Sequence, residues 1–138
     1  MEYDILIRGG EVVDPSQQLR GVRDVAVLDG RIAAVEEHIT GEAVNTIDAQ
    51  GQIVVPGLID LHVHVYTHSP FGLDADPLCP AGGVTTMLDA GTAGSFNFDA
   101  FRRDNIDRAK TQIFSLVNLS CIGLIGASLG ELLDRRYA

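Results

Sequence analysis

The sequence predicts an α/β protein in which a small β module is followed by about three βα units that share one incomplete parallel sheet. Two observations predict this architecture. Residues 1–55 contain short apolar runs broken by Gly and Asp, whereas residues 56–138 alternate strand-like with helix-like segments. Pro56 and Gly57 separate the two patterns, so the domain boundary is expected between residues 55 and 56.

The β module is predicted from alternating apolar residues and from turn residues. Residues 3–13 should form two short strands separated by a glycine pair, closed by a turn at Asp14-Pro15-Ser16. Asp29-Gly30 lies between the apolar runs 24–28 and 31–35, which predicts a type I′ hairpin because both turn residues tolerate positive φ. Further strands are expected at 46–49 and 52–55, in a mostly antiparallel module.

The second half is predicted to form a parallel sheet with connecting helices. Its strands are expected at residues 58–65, 84–90 and 113–119. A helix is expected at 98–109 with Asn97 as its N-cap, and the segment 73–83 suggests another that Pro80 would interrupt. A further helix is expected from about Ser128.

Composition limits the classes of protein to which the chain can belong. Its 138 residues are 46% hydrophobic and 21% charged, which suits a globular domain. Because 19 acidic residues oppose 10 basic ones, the net charge is -9, which argues against a nucleic-acid or membrane partner. The two cysteines, the acidic start and the lack of a long apolar stretch predict a reduced, cytoplasmic protein.

Polar residues occupy one face of the first predicted parallel strand. Asp60, His62 and His64 should point one way, while Ile59, Leu61 and the other apolar residues pack beneath helices. Burying these groups is costly unless they are hydrogen-bonded or bind a metal, and the two imidazoles could converge on one zinc ion. Asp60 could then orient a liganding histidine. A chance pairing of two histidines is the alternative, and the residues alone leave both open.

The run VVPGLIDLHVHV resembles the first barrel strand of the amidohydrolase superfamily. The earlier runs DILIRGGEVVDP and VAVLDGRIAAV resemble the N-terminal strands of that family, and GVTTMLDAGTAGSFNFDAFRRDNI is similar to the second strand and helix of its deacetylase-like branch. The resemblance implies part of a composite β-sandwich at residues 1–55 and, at residues 56–138, the first units of a (β/α)8 TIM barrel, which needs about 250 residues to close.

The resemblance also implies a chemistry. His62 and His64 would bind a divalent metal, usually zinc, in a site that holds one or two ions. Such enzymes hydrolyse the amide, ester or cyclic-amide bond of a small molecule through a metal-activated water. Dihydroorotases of this family carry H-x-H-x-R, with an Arg that binds a substrate carboxylate, whereas this chain has Tyr66 there. The resemblance therefore favours a deacetylase over a dihydroorotase, and Tyr66 becomes a candidate substrate contact.

The remaining residues of the family's active site do not appear in this chain. The resemblance implies a bridging carboxylated Lys, two later His and a general-base Asp, all expected beyond Ala138. We therefore expect the chain to be inactive alone. It could be a truncated remnant, one half of a split enzyme with a complementing C-terminal chain, or a homo-oligomer. A small domain that only stores or binds metal is a further alternative.

Other candidate residues have a structural explanation as well as a functional one. Asp89 ends the second strand and could reach a substrate, although a loop-capping role is favoured. Asn118 at the end of the third strand could also contact substrate. The backbone N–H groups of residues 91–95 could bind an anion, although a plain loop is favoured. His38 and His68 are predicted to be exposed and Cys121 to be a small buried residue, whereas Cys79 has no His or Cys partner at a zinc-binding spacing.

Overall fold

Five strands form the sheet of the first part of the chain. The protein is described here by a computed structural model that covers residues 2–125 and divides into two units between Pro56 and Gly57. The strands of the first unit are β1 (Glu2–Asp14), β2 (Leu19–Leu28), β3 (Arg31–Glu36), β4 (Glu42–Asp48) and β5 (Ile53–Val54). They lie in the order β3-β2-β1-β4, and β5 also pairs with β1.

β1 is one long strand, whereas two short runs were expected on either side of its glycine pair. Its pairing with β2 shifts between Ile7 and Gly10, and Gly9 there has a φ of 68°. A glycine at positive φ lets the strand bulge and then continue, which is why the expected interruption does not occur. Leu6, Ala26 and Ile39 form a buried hydrophobic cluster in this unit.

The pairing of β4 and β5 differs from the mostly antiparallel module that was expected. The β1–β2 and β2–β3 pairs are antiparallel, but β4 and β5 both run parallel to β1. Because β3 and β4 lie at opposite edges of the order β3-β2-β1-β4, the chain crosses over between them and returns in the direction of β1. Alternation within one strand carries no information about this choice of partner.

The predicted hairpin at Asp29-Gly30 is confirmed. Both residues have positive φ, 51° and 70°, and they join β2 to β3. The Asp29 N–H donates to Asp4 Oδ2 at 2.7 Å, which ties the turn to β1. The predicted turn after Asp14 is a short 3₁₀ segment, Pro15–Gln17, and the Asp14 carboxylate accepts the Ser16 N–H at 2.9 Å.

Three parallel strands form the sheet of the second unit, as the sequence predicts. They are β6 (Leu58–Val63), β7 (Val84–Asp89) and β8 (Gln112–Ser115), in that order across the sheet. Each is shorter than expected because the chain turns into loops at the carboxyl end of the sheet. Leu116 donates there to the Asp89 carbonyl, and Asn118 donates to the Ala93 carbonyl, both at 2.9 Å. Within residues 2–125 this sheet is open, and closure into a barrel stays a prediction.

Two short helices connect these strands. α1 (Ala75–Ala81) includes Pro80 and ends one residue after it, and α2 (Phe98–Phe101) continues as a π-helical turn over Arg102–Ile106. The helix predicted at 98–109 is therefore present in shortened form. No helix among the described residues is long and apolar enough to cross a membrane. The helix predicted from Ser128 lies outside the described residues.

Asn97 does not cap α2, contrary to expectation. Its side-chain oxygen accepts the Gly94 N–H at 2.8 Å, and its side-chain nitrogen donates to the Ile122 carbonyl at 3.1 Å. Both partners belong to loops at the carboxyl end of the sheet, so Asn97 joins two loops instead of satisfying the first turn of the helix.

The core of the second unit lies on one side of its sheet. Val63 and Val65 pack into it as expected, but Ile59 and Leu61 are 62% and 70% exposed. The expectation that these two residues pack beneath helices is therefore wrong for the described part of the chain. The buried members of this core are Val65, Tyr66, Ala75, Cys79, Met87, Ala93, Phe101 and Ile113.

Candidate metal centre

Two imidazoles lie together at the carboxyl end of β6. His62 precedes the last residue of the strand and His64 follows it. Their ring centroids are 5.5 Å apart and the ring planes meet at 88°, so the rings are in edge-to-face contact. His62 is exposed and His64 is half-buried. Ligands of α/β proteins commonly bind at the carboxyl ends of parallel strands, which is where this pair lies.

Asp60 contacts the backbone of the strand. Its Oδ1 accepts the His62 N–H at 3.0 Å, and among the described residues no hydrogen bond joins it to either imidazole. The pairing of β6 with β7 shifts between Asp60 and Val63, so a bulge interrupts the strict alternation assumed from the sequence. The role visible for Asp60 is thus to hold the backbone at the bulge that carries His62.

His64 is connected to a buried carboxylate through a hydroxyl group. Its Nδ1 lies 2.8 Å from Thr92 Oγ1, and the same oxygen lies 2.7 Å from Asp89 Oδ2. Thr92 and Asp89 are both 0% exposed. The three side chains come from the end of β6, the end of β7 and the loop that follows β7, so this contact joins two neighbouring strands at the candidate site.

Asp89 organises the loop after β7. Its Oδ1 accepts the backbone N–H groups of Gly91 at 3.0 Å and Thr92 at 2.7 Å, and its Oδ2 accepts the Val65 N–H at 2.8 Å. With the Thr92 hydroxyl, four donors surround this carboxylate, which an ionised Asp can accommodate because it only accepts. The loop-capping role that the sequence favours is the one found here, and the side chain has no free acceptor position in this arrangement.

Asn118 and Tyr66 also lie within the fold of the second unit. The Asn118 side chain donates to the Gly91 carbonyl at 2.8 Å and accepts the Ser120 N–H at 2.9 Å. Tyr66 is buried, with its ring centroid 5.0 Å from that of Phe101. Burial raises the pKa of the Tyr66 hydroxyl. Both candidate substrate contacts therefore have structural partners within the described chain.

The other titratable candidates do not join the histidine pair. His68 is exposed and lies 3.4 Å from Asp104, and His38 belongs to the first unit, where it lies 3.6 Å from Asp24. Cys79 is buried with its Sγ 3.4 Å from Met87 Sδ. Cys79 and Cys121 are both free thiols.

The contact between Thr92 and His64 is the feature that sequence reasoning missed. From the sequence, the segment 91–95 suggests only backbone N–H groups that could bind an anion. Asp89 occupies the N–H groups of Gly91 and Thr92, and Asn97 occupies that of Gly94, so these three donors have internal partners. The local bonds from Asp89 to this loop could be expected, because Asp side chains commonly bond to nearby backbone groups, but no local signal indicates the contact between Thr92 and His64.

His62 and His64 fit two of the positions around a metal ion. Neutral imidazole is a common zinc ligand, and a catalytic zinc usually has three protein ligands and a water. Within residues 2–125 no group of three or more His, Cys, Asp and Glu side chains is arranged to hold a metal ion. His62 and His64 are thus two candidate ligands, one fewer than the protein usually gives to a catalytic zinc.

The chain has relatives whose names indicate hydrolysis of carbon–nitrogen bonds. It is 38% identical over 127 residues to a deacetylase of Enterococcus faecalis, covering 91% of this chain and 33% of the relative. It is 42% identical over 88 residues to a dihydroorotase of Streptococcus pneumoniae, covering 61% of this chain and 21% of the relative. The chain thus spans about a third or less of these relatives. No family model matches it.

Solved structures show the same relationship. A dihydroorotase superposes with a TM-score of 0.82 at 30% sequence identity, covering 96% of this chain and 36% of that structure. An N-acyl-D-glutamate deacylase of Bordetella bronchiseptica, solved with zinc and a phosphonate inhibitor, superposes with a TM-score of 0.65 at 26% identity, covering 85% of this chain and 30% of that structure. By sequence and by fold, the chain is homologous to the N-terminal part of proteins of the amidohydrolase superfamily.

Proposed function

We propose that this protein takes part in the metal-dependent hydrolysis of an amide, a cyclic amide or an ester of a small molecule. The observation that carries the proposal is the contact between the His62 and His64 rings at the carboxyl end of β6, with centroids 5.5 Å apart. The relatives support the reaction class because deacetylases and dihydroorotases hydrolyse carbon–nitrogen bonds. Zinc is the metal we expect, since a related deacylase was solved with it.

The residues of this chain would hold and orient the site. A bound divalent metal supplies an activated water and polarises the substrate carbonyl. His62 and His64 would contribute two ligands, and Asp60 would keep the backbone of His62 in position through its 3.0 Å bond. The third ligand and the general base would come from residues outside those described, as the resemblance to amidohydrolases implies.

The substrate is expected to be an acylated small molecule in preference to dihydroorotate. Tyr66 stands where dihydroorotases carry a carboxylate-binding Arg, and here it is buried against Phe101. A buried phenol offers no positive charge to a substrate carboxylate, so this position does not support recognition of dihydroorotate. The relatives include enzymes of both kinds, so the preference rests on Tyr66.

A second candidate is a chain that binds metal without catalysis unless another chain or segment completes the site. Two observations favour it: the described residues contain no group of three or more side chains that could hold a metal ion, and apolar residues of the second sheet are exposed, including Ile59 and Leu61. On this account the 138-residue chain alone shows no turnover. A complementing C-terminal chain or a second copy would cover the apolar face.

The test is an assay of hydrolysis. The protein is expressed from its native gene, and the DNA that follows the Ala138 codon is kept in the expressed segment. Zinc-loaded protein is assayed with N-acetylated amino acids and with dihydroorotate. We expect release of acetate that depends on zinc, is lost in a His62→Ala, His64→Ala double variant and is kept in a His38→Ala, His68→Ala double variant. Turnover that is equal in the two double variants, or no turnover by the zinc-loaded protein, would contradict the proposal.

A further inference from the structure

We infer that Thr92 is a positioning residue: its hydroxyl, oriented by the buried Asp89 carboxylate, holds His64 in the tautomer that carries its proton on Nδ1. The contacts that carry this inference are the 2.8 Å separation of His64 Nδ1 from Thr92 Oγ1 and the 2.7 Å separation of Thr92 Oγ1 from Asp89 Oδ2. The tautomer follows from these contacts alone. Its use for metal binding rests on the function proposed above.

The number of available protons fixes the direction of both hydrogen bonds. A threonine hydroxyl has one proton to donate and can also accept. The Asp89 carboxylate only accepts, so the short contact between Asp89 and Thr92 requires the hydroxyl proton to lie between them. With that proton used, Thr92 can only accept from His64, and the Nδ1 atom must therefore be the one that carries hydrogen.

The Thr92 hydroxyl has little freedom to turn away from Asp89. The carboxylate and Thr92 are fully buried, and three backbone N–H groups also donate to that carboxylate. A rotated hydroxyl would leave a buried acceptor without its donor, at a cost of about 1–3 kcal/mol. The alternative tautomer of His64 would require that loss.

The tautomer of His64 determines what its other ring nitrogen, Nε2, can bind. In a neutral imidazole with hydrogen on Nδ1, the Nε2 atom carries a lone pair and can accept a hydrogen bond or bind a metal ion. A partner on one ring nitrogen fixes which nitrogen is free and how the ring is oriented, and the loss of such partners weakens metal binding. Thr92 and Asp89 would thus prepare His64 as a ligand through Nε2.

The two histidines differ in this respect. Within the described part of the chain, the ring of His62 has no hydrogen bond. Asp60 contacts His62 only through the backbone, where it accepts the N–H. The ring of His64 should therefore have one fixed orientation and tautomer, whereas the ring of His62 should be free to change both. This difference predicts that substitution of Thr92 changes one imidazole and leaves the other unchanged.

The test is the tautomeric state of both histidines in the metal-free, isotope-labelled chain, read from long-range proton–nitrogen correlation spectra in mildly alkaline buffer. The wild type should show His64 with hydrogen on Nδ1. Thr92→Val, which has the same shape without the hydroxyl, should shift His64 toward hydrogen on Nε2, and Thr92→Ser should retain the wild-type pattern. His62 should not change in either variant.

A wild-type spectrum with hydrogen on Nε2 of His64 would overturn the inference, even if the Thr92→Val variant failed to fold. An unchanged His64 pattern in a folded Thr92→Val variant would overturn it as well. Because this measurement uses no metal, it separates the inference from the proposed function. Zinc titration then tests the use of the tautomer, with an expected loss of affinity of about 10- to 100-fold in Thr92→Val and little loss in Thr92→Ser.

Discussion

The Asp89 carboxylate accepts the backbone N–H of Val65 at 2.8 Å, and this bond joins the segment that carries the two histidines to the end of the neighbouring strand. Asp89 is fully buried and also holds the loop after β7 through Gly91 and Thr92. One side chain thus fixes the relative positions of two strand ends. The candidate metal centre depends on this arrangement because His64 lies next to Val65.

Asp89→Asn should destabilise the second unit. The amide keeps one acceptor oxygen but places an NH2 group against donors, which leaves buried N–H groups without partners. We expect the free energy of unfolding to fall by about 1–3 kcal/mol, measured by urea denaturation. Asp29→Asn is the matched control, because Asn is well accepted in a type I′ turn. Equal stabilities of the two variants would contradict the role assigned to Asp89.

Gly30→Ala should destabilise the first unit through its backbone conformation. Gly30 has a φ of 70° and no atom lies within 4 Å of the position that its Cβ would take, so strain alone should cost about 1–2 kcal/mol. Gly21→Ala is the control. Gly21 lies in β2 without positive φ, and a Cβ there would make ordinary contact with Arg23, so it should be neutral or stabilising. Thermal unfolding should show a lower melting temperature for Gly30→Ala and an equal or higher one for Gly21→Ala. Equal losses of stability in the two variants would contradict the role of the positive φ at Gly30.

Asp24 should make the stability of the first unit depend on acid. Burial of this carboxyl favours its neutral form, but the N–H groups of Ile39 and Gly9 donate to it at 3.0 and 2.9 Å, and the Arg8 guanidinium lies 3.2 Å away. Together these partners hold the pKa of Asp24 below its ordinary value. A carboxyl whose pKa is lower in the folded state stabilises the fold above its unfolded pKa of about 3.9, and the benefit is lost as pH falls through the folded pKa.

The check on Asp24 is a series of denaturation curves from neutral to acidic pH. Asp24→Asn should lower the free energy of unfolding at neutral pH by about 1–3 kcal/mol and flatten its decline in acid. Glu42→Gln removes the same charge from an exposed position of β4 and should leave the acid dependence as in the wild type. An Asp24→Asn variant that loses stability in acid as steeply as the wild type would refute the assignment.

Local signals in the sequence predict the features that depend on neighbouring residues. The hairpin at Asp29-Gly30 follows from two residues that tolerate positive φ, and the three parallel strands follow from apolar runs separated by helical segments. The parallel pairing of β4 with β1 and the use of Asn97 as a link between loops were missed, since both depend on partners far away in the chain.

In the candidate site, too, the sequence predicts the contact between near neighbours and not the contacts with distant residues. The H-x-H spacing predicts that His62 and His64 are close, and the rings are in contact. The role of Thr92 could not be predicted because its partner His64 lies 28 positions earlier in the sequence. The exposure of Ile59 and Leu61 was also missed, since apolar residues were assumed to be covered.

Zinc binding to the metal-free 138-residue chain, followed by isothermal titration calorimetry, tests the central claim most directly. The chain contains 4 histidines, so two double variants that each remove a pair can be compared. The account predicts that wild type and the His38→Ala, His68→Ala variant bind zinc alike, whereas the His62→Ala, His64→Ala variant loses binding. Equal binding by all three proteins, or no binding by the wild type, would contradict it.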